Sequence, residues 1–211
     1  CVEGKKRLYE FCADHHVPHQ KIGKLITADI HSGEEGLIYL RKLQNKARAL
    51  GMDDLHLISA EDVAKLEPEV LCSAALWSPT SGIIDVHAYM DALLGDIEAH
   101  GGSLALASPV QSGQIENGTI RLTIGDQENS QITCRTLINC AGLNAPLVAR
   151  SIEGRNHDHI PPRLLAKGSY CVLTRPSPFK HLVYPAPHGV HASLDLGGQL
   201  RFGPDSEWID E

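Results

Sequence analysis

Residues 136–150, Thr-Leu-Ile-Asn-Cys-Ala-Gly-Leu-Asn-Ala-Pro-Leu-Val-Ala-Arg, constrain the fold more than any other stretch of the chain. The apolar run over Thr136–Cys140 reads as a buried parallel strand, and it passes through small residues directly into a helix that begins near Asn144. A junction of this kind aims the amide-rich start of a helix at the carboxyl edge of an open sheet, where an anionic or dinucleotide ligand can be held. A plainer reading is that Ala141 and Gly142 only let helix and strand pack closely. The junction alone leaves both open, because its usual partner, a G-x-G-x-x-G loop after an early strand, occurs nowhere in the 211 residues.

Strand and helix signals alternate along the rest of the chain. Residues 5–14 place Leu8, Phe11 and Cys12 on one helical stripe, which breaks at His15-His16-Val17-Pro18. Residues 21–28 read as a strand. Residues 34–52 carry Leu37, Leu40, Leu43, Ala47 and Leu50 at helical spacing, with Gly51 as the stop. Ser59 is a candidate N-cap of a short helix that ends before Pro68. An apolar strand from Ala74, an extended Ile83-Ile84 and a helix from Asp85 or Val86 to Gly101-Gly102 follow. A short strand is expected at 103–107, neighbouring the strand at 136–140. Asn117-Gly118 between two extended runs predicts a hairpin over 110–124, since both central residues of a type I′ turn need positive φ. Residues 168–205 alternate short strands with Pro and Gly turns and predict a meander. Together these signals predict a mixed α/β chain of two interleaved domains.

A net charge of −7 argues against a nucleic-acid surface, which is built from clustered Lys and Arg. The basic run Lys5-Lys6-Arg7 reads as a solvated helix face. No apolar run approaches the roughly 18 residues that would suggest a membrane span. The six cysteines lie far apart without a C-x-x-C, and read as reduced, mostly buried thiols of a cytoplasmic protein. His157-Asp158-His159, His15-His16 and His181 lack the spacing and companion ligands of a zinc site, so no metal is expected.

Several segments agree, in order, with one family. "SGIIDVHAYMDALLGDIEAHGG", "SPV" before the hairpin, "TLINCAGLNAPLVA" and "GVHASLDLGGQLRFGPDSEW" resemble the FAD-dependent D-amino-acid-oxidase superfamily, and within it the branch of L-2-hydroxyglutarate dehydrogenases and oxidases. The resemblance runs from "HQKIGKLITA" to "RFGPD". It implies a partial FAD-binding domain over residues 1–16 and 85–157, interleaved with a mixed-sheet substrate domain over 17–84 and 158–211. It further implies that Val110, Cys140, Ala141, Gly142 and Leu143 lie beside the FAD. The family's opening strand, its G-x-G-x-x-G loop and its C-terminal segment have no counterpart in the sequence. The chain is therefore expected to be an internal piece that alone binds no FAD and self-associates through uncovered apolar faces.

The reaction implied is oxidation of a small 2-hydroxy acid, with hydride transfer to the flavin while a base takes the hydroxyl proton. Histidine suits that role because its pKa lies near operating pH. In "GVHASLD", alternation places His191, Ser193 and Asp195 on one face, pointing either to solvent or into a polar pocket; the family match makes His191 the candidate base. Lys167, Tyr184, Arg201 and Lys24 are candidates for holding substrate carboxylates, which need fixed cations or phenols. The resemblance also admits an amine or amino-acid oxidase of glycine or sarcosine type. A non-catalytic binding module that lost its cofactor is the alternative outside enzymes.

Overall fold

A computed structural model describes residues 1–125 and 128–209. In chain order the elements begin with α1 (Val2–Asp14), β1 (His19–Gln20), β2 (Lys24–Ala28), α2 (Gly33–Ala49), β3 (His56–Ser59), α3 (Ala60–Leu66), β4 (Ala74–Ser78), β5 (Ile83–Ile84) and α4 (Val86–Ala99). Next come β6 (Val110–Glu116), β7 (Thr119–Ile124), β8 (Gln131–Cys134), α5 (Ala145–Arg150) and β9 (Ile152–Glu153). The chain closes with β10 (Leu165–Val172), β11 (Leu182–Ala186), β12 (His191–Leu194) and β13 (Leu200–Ile209). It divides into two compact units, Cys1–His100 with Gly168–Ser206, and Gly101–Lys167 with Glu207–Glu211.

The first unit is organised by a seven-stranded mixed sheet of order β10-β13-β12-β11-β2-β4-β3. Its interior strand β2 pairs antiparallel with β4 and parallel with the central strand β11, so a strand from near the chain's start lies beside one from near its end. Alternation sorts the side chains onto two faces. Leu25, Ala75, Val183 and Ala192 pack with Val63 of α3; Ala28, Ala74 and Leu76 pack with Leu40 of α2 and with Leu55. The expected meander is present as β11-β12-β13, but β10 joins it beyond β13 and not next to β11.

Local chemistry explains the element ends. The Ser59 side chain accepts from the Asp62 amide, so the predicted N-cap is in place, and Asp85 Oδ1 accepts from the Ala88 amide at 3.0 Å, capping α4. Past α2, Gly51 sits at φ +81, with Gly51 N donating to Arg48 O and Met52 N to Ala47 O, the two bonds of a Schellman close. β2 starts three residues later than the apolar run suggests because Gly23 takes φ +75 with its Cα against the Trp77 ring, where a Cβ would collide.

Between α3 and β11 lies a buried carboxylate. Glu67 is 1% exposed, and its Oε1 accepts from the backbone amides of Lys180 and His181, each at 2.7 Å, while His181 Nδ1 lies 2.7 Å away. The His181 ring in turn meets Trp77 edge-on at 5.0 Å. Sequence periodicity had no means of finding this contact.

The second unit holds a four-stranded sheet, β8-β7-β6-β9, closed over Leu122, Ile124 and Ile152. β6 and β7 form the predicted hairpin, with Glu116 opposite Thr119 and positive φ at Asn117 and Gly118. Two expectations fail here. Neither 103–107 nor 136–140 is a strand; Leu104 and Leu106 are exposed, and Ile138 is 79% exposed, with only Leu137 packed against the core cluster. A parallel strand needs ladder partners on its flanks, and among the described residues none pairs with either segment. The cysteines also depart from expectation: Cys12 and Cys72 are buried, Cys134 is half-buried, and Cys1, Cys140 and Cys171 are exposed.

Two outcomes test this packing. Glu67→Ala strips a buried acceptor from three donors and is expected to cost about 3 kcal/mol in urea unfolding, given roughly 1.5–3 kcal/mol per hydrogen bond to a charged group; a loss below about 1 kcal/mol would show the contact to be incidental. The second concerns His15, whose ring stacks on Phe11 at 3.9 Å and whose Nε2 lies 3.1 Å from Asp96 Oδ1, tying α1 to α4. The hydrogen bond to Asp96 raises the His15 pKa. A raised histidine pKa adds stability below the unfolded value of about 6.5 and loses it as pH climbs through the folded value. His15→Gln should thus lower the urea midpoint at about pH 5.5 and leave it nearly unchanged at about pH 8.5; an equal loss at both would exclude the linkage.

Candidate active site

Three neighbouring strands, β2, β11 and β12, bring three of the sequence candidates together. In the β2–β11 register Lys24 lies opposite Leu182 and Ile26 opposite Tyr184, and in β11–β12 Val183 lies opposite Ala192. Tyr184 and His191 therefore share the sheet face that also carries Lys24. Their rings are stacked, with centroids 3.9 Å apart and planes within 1°. The Lys24 ammonium sits 5.1 Å from the Tyr184 ring centroid, within cation–π range. All three side chains are half-buried. Among the described residues neither ring nitrogen of His191 has a hydrogen-bond partner, so a proton acceptor stands unoccupied by other protein groups.

Lys24 is held in an unusual state. Burial, and next the nearby charge of Lys5, hold its ammonium below the usual lysine range. Lys5 corrects one expectation: Lys6 and Arg7 are exposed and pair along α1 with Glu10 and Glu3, but Lys5 is half-buried. It lies 3.0 Å from Asp54 Oδ2 and donates to Thr80 Oγ1 at 2.6 Å, while Thr80 also bonds Asp54. Burial pushes the Asp54 carboxyl up, but hydrogen bonds from Thr80 and Lys5 outweigh it and leave the pKa lowered. The sequence held no signal for this group, because its members lie on α1, the loop before β3 and the turn after β4.

The other candidates stand differently. Arg201 lies on the same sheet face, opposite Ser193, and its guanidinium bonds Asp195 at 3.3 Å, within the turn where Asp195 also accepts the Gly197 and Gln199 amides. Lys167 is exposed and pairs with Glu207 at 3.5 Å in the second unit. Also in that unit, Val110 opens β6 and packs against the core cluster. Cys140, Ala141, Gly142 and Leu143 are exposed. Gly142 has φ +56, and a Cβ there would meet nothing within 4 Å. The Asn139 side chain braces this loop, accepting from the Ala141 amide at 3.2 Å and donating to Ala145 O at 2.8 Å.

The fold belongs to a known class. All 211 residues match the family described as DAO, FAD dependent oxidoreductase, and the chain belongs to that family. Among curated relatives it is 32% identical over 244 residues to "L-2-hydroxyglutarate dehydrogenase, mitochondrial" of Arabidopsis thaliana, covering all of this chain and 50% of that protein. To the Homo sapiens protein of the same name it is 27% identical over 224 residues, covering 98% and 47%. The chain thus spans about half the length of the curated relatives it matches. Solved structures agree on the fold. The FAD-bound L-alpha-glycerophosphate oxidase of Mycoplasma pneumoniae superposes with a TM-score of 0.75 at 22% identity over 92% of this chain and 52% of its own. Glycine oxidase of Geobacillus kaustophilus does so with 0.76 at 14% identity over 99% and 55%. The relatives' names are mitochondrial, which overturns the cytoplasmic expectation.

The ring stack has a direct readout. The His191 ring protons should resonate upfield from the Tyr184 ring current in a proton–carbon NMR spectrum, keep that shift in Tyr184→Phe and lose it in Tyr184→Ala. Unshifted His191 protons in the unmodified protein would show that the rings do not stack in solution.

Proposed function

We propose that the protein takes part in FAD-dependent oxidation of a small 2-hydroxy acid of L-2-hydroxyglutarate type. The observation that carries this reading is the agreement, along the whole chain, with relatives named for that activity. The likeness to glycine oxidases, at 14–15% identity, speaks for the fold alone and favours no amine substrate.

In this reading residues 1–16 and 85–157 contribute to the flavin domain and 17–84 with 158–211 to the substrate domain. The residues present fit one wall of a flavin site: the exposed backbone from Cys140 to Leu143, with open space over Gly142, leaves room for a ligand to lie against it. Val110 would serve the same wall through its main chain. The pyrophosphate cradle of glycines is not among these residues. Bound FAD supplies the acceptor for the hydride that leaves carbon 2 of the substrate.

This chain's side chains supply the rest. A ring nitrogen of His191 takes the hydroxyl proton as the C–H bond breaks, so the alcohol becomes a 2-oxo acid. Tyr184 fixes the plane of that imidazole by stacking. Lys24 and Arg201, on the same sheet face, offer cations to substrate carboxylates, and the half-buried Lys24 is the stronger because little water screens it. Lys167 is proposed for the same work, for which it would have to exchange Glu207 for the substrate.

The test is His191→Asn in the full-length protein. Turnover of L-2-hydroxyglutarate should fall about 100- to 10,000-fold while flavin absorbance per protein stays the same, because a base acts in the transition state and does not hold the flavin. Near-normal turnover in the variant would remove His191 from the mechanism. Oxidation of sarcosine or glycine in preference to L-2-hydroxyglutarate by the unmodified protein would replace the substrate class.

A further inference from the structure

Lys24 has a second neighbourhood. Away from Tyr184, it borders a cavity of about 460 Å³ between α2 and the β2–β4 part of the sheet, well within the range of small-molecule sites. One wall is the last two turns of α2, with Leu43 and Ala47, and the rim is Leu50, which is 66% exposed although it belongs to the helix's apolar stripe. Met52 and Leu55 extend the apolar lining, and Ser78 and Ser81 bring hydroxyls to the sheet side.

The charges around this cavity do not balance. Three lysines border it, Lys5, Lys24 and Lys46, and no Asp or Glu does. Asp54 neutralises Lys5. Lys24 and Lys46 have no carboxylate partner among the described residues, and burial of Lys24 already disfavours its charged form. A half-buried cation beside apolar walls attracts an anion strongly because water screens it poorly. The walls select what carries that anion. A free phosphate or a short dicarboxylate would leave Leu43, Ala47 and Met52 wet, whereas an alkyl chain removes that surface from water.

We infer that this cavity binds a linear aliphatic monocarboxylate, with the carboxylate on Lys24 and Lys46 and the chain along Leu43, Ala47 and Met52. The cavity lies under α2 on the β2–β4 part of the sheet face whose β11–β12 part carries His191; of the residues proposed for the reaction Lys24 alone borders it, and binding here requires neither flavin nor turnover. An anion seated in the cavity draws the Lys24 ammonium from the Tyr184 ring, so occupancy is also expected to alter the environment of the His191 stack.

Calorimetric titration of the full-length protein with octanoate, below its aggregation limit, tests this. One saturable site is expected, with 1-octanol at least 10-fold weaker and acetate without measurable heat. Lys24→Gln should weaken octanoate at least 10-fold, and Ala47→Leu, which fills the cavity without touching the charge, should abolish it. The octanoate–octanol contrast needs no variant, so it decides the matter even where a substitution impairs folding. Equal affinity for octanoate and octanol, binding unaffected by Ala47→Leu, or no binding at millimolar octanoate would overturn the inference. Loss of octanoate binding beside normal oxidation of L-2-hydroxyglutarate sinks this site alone; octanoate binding without any such oxidation sinks only the proposed reaction.

Discussion

One carboxylate oxygen, Oε1 of Glu67, holds together the part of the structure on which the rest depends. It accepts from the two backbone amides that open β11 and meets the His181 imidazole, which leans on Trp77. Trp77 in turn covers Gly23 at the start of β2. The end of α3 and the beginnings of β11 and β2 are thereby brought to one point. A buried carboxylate is expensive to desolvate, and three short contacts on one oxygen are what make it tolerable. They also set where β11 enters the sheet, and register in a sheet with two covered faces cannot slip by one residue without turning every side chain over.

The functional geometry follows from that register. β2 and β11 come from distant parts of the chain, and their parallel pairing places Leu182 beside Lys24 and Tyr184 beside Ile26. Once β12 returns antiparallel, His191 falls across from Tyr184 and the rings stack. The same sheet face is shared unequally: α2 covers the β2–β4 part, while the β11–β13 part keeps its aromatic and polar side chains accessible. Lys24 stands on the border, which is why its ammonium belongs both to the His191 face and to the apolar cavity under α2.

Much of this was readable from residue order and some was not. Turn and cap chemistry is local, so Asn117-Gly118, Ser59, Asp85 and Gly51 announced their elements before any tertiary contact was known. Face assignment in β12 was likewise a matter of counting by two. The strand expected at 136–140 failed for a non-local reason: an apolar run reports a wish to be buried, but a ladder partner must be present for it to become a strand, and Ile138 has none among the described residues. Lys5 failed in the opposite sense. Charge density along one helix suggested a solvated face, while Asp54 and Thr80, far along the chain, make it a half-buried ion pair. The stack of Tyr184 on His191 was out of reach because it depends on the pairing register of β11 with β12 across the loop at 187–190, which residue order alone did not fix.

Family membership and local geometry carry different weights in the reading of function. Relatives sharing 26–33% of residues over nearly this whole chain speak for the family, because several separated segments must agree at once. Superposition on glycerophosphate and glycine oxidases at 14–22% identity shows that one scaffold serves different substrates. What distinguishes them must then lie in side chains that the scaffold presents at fixed places. In the reading proposed above those are an imidazole stacked on a phenol and an ammonium poorly screened by water, on adjacent strands of one sheet. An imidazole whose nitrogens have no hydrogen-bond partner among the described residues accepts a proton without first breaking a bond, and a half-buried ammonium gains most from an anion. The proposed reading rests on that pairing, since a substrate that is both an alcohol and a carboxylate would use both groups at once.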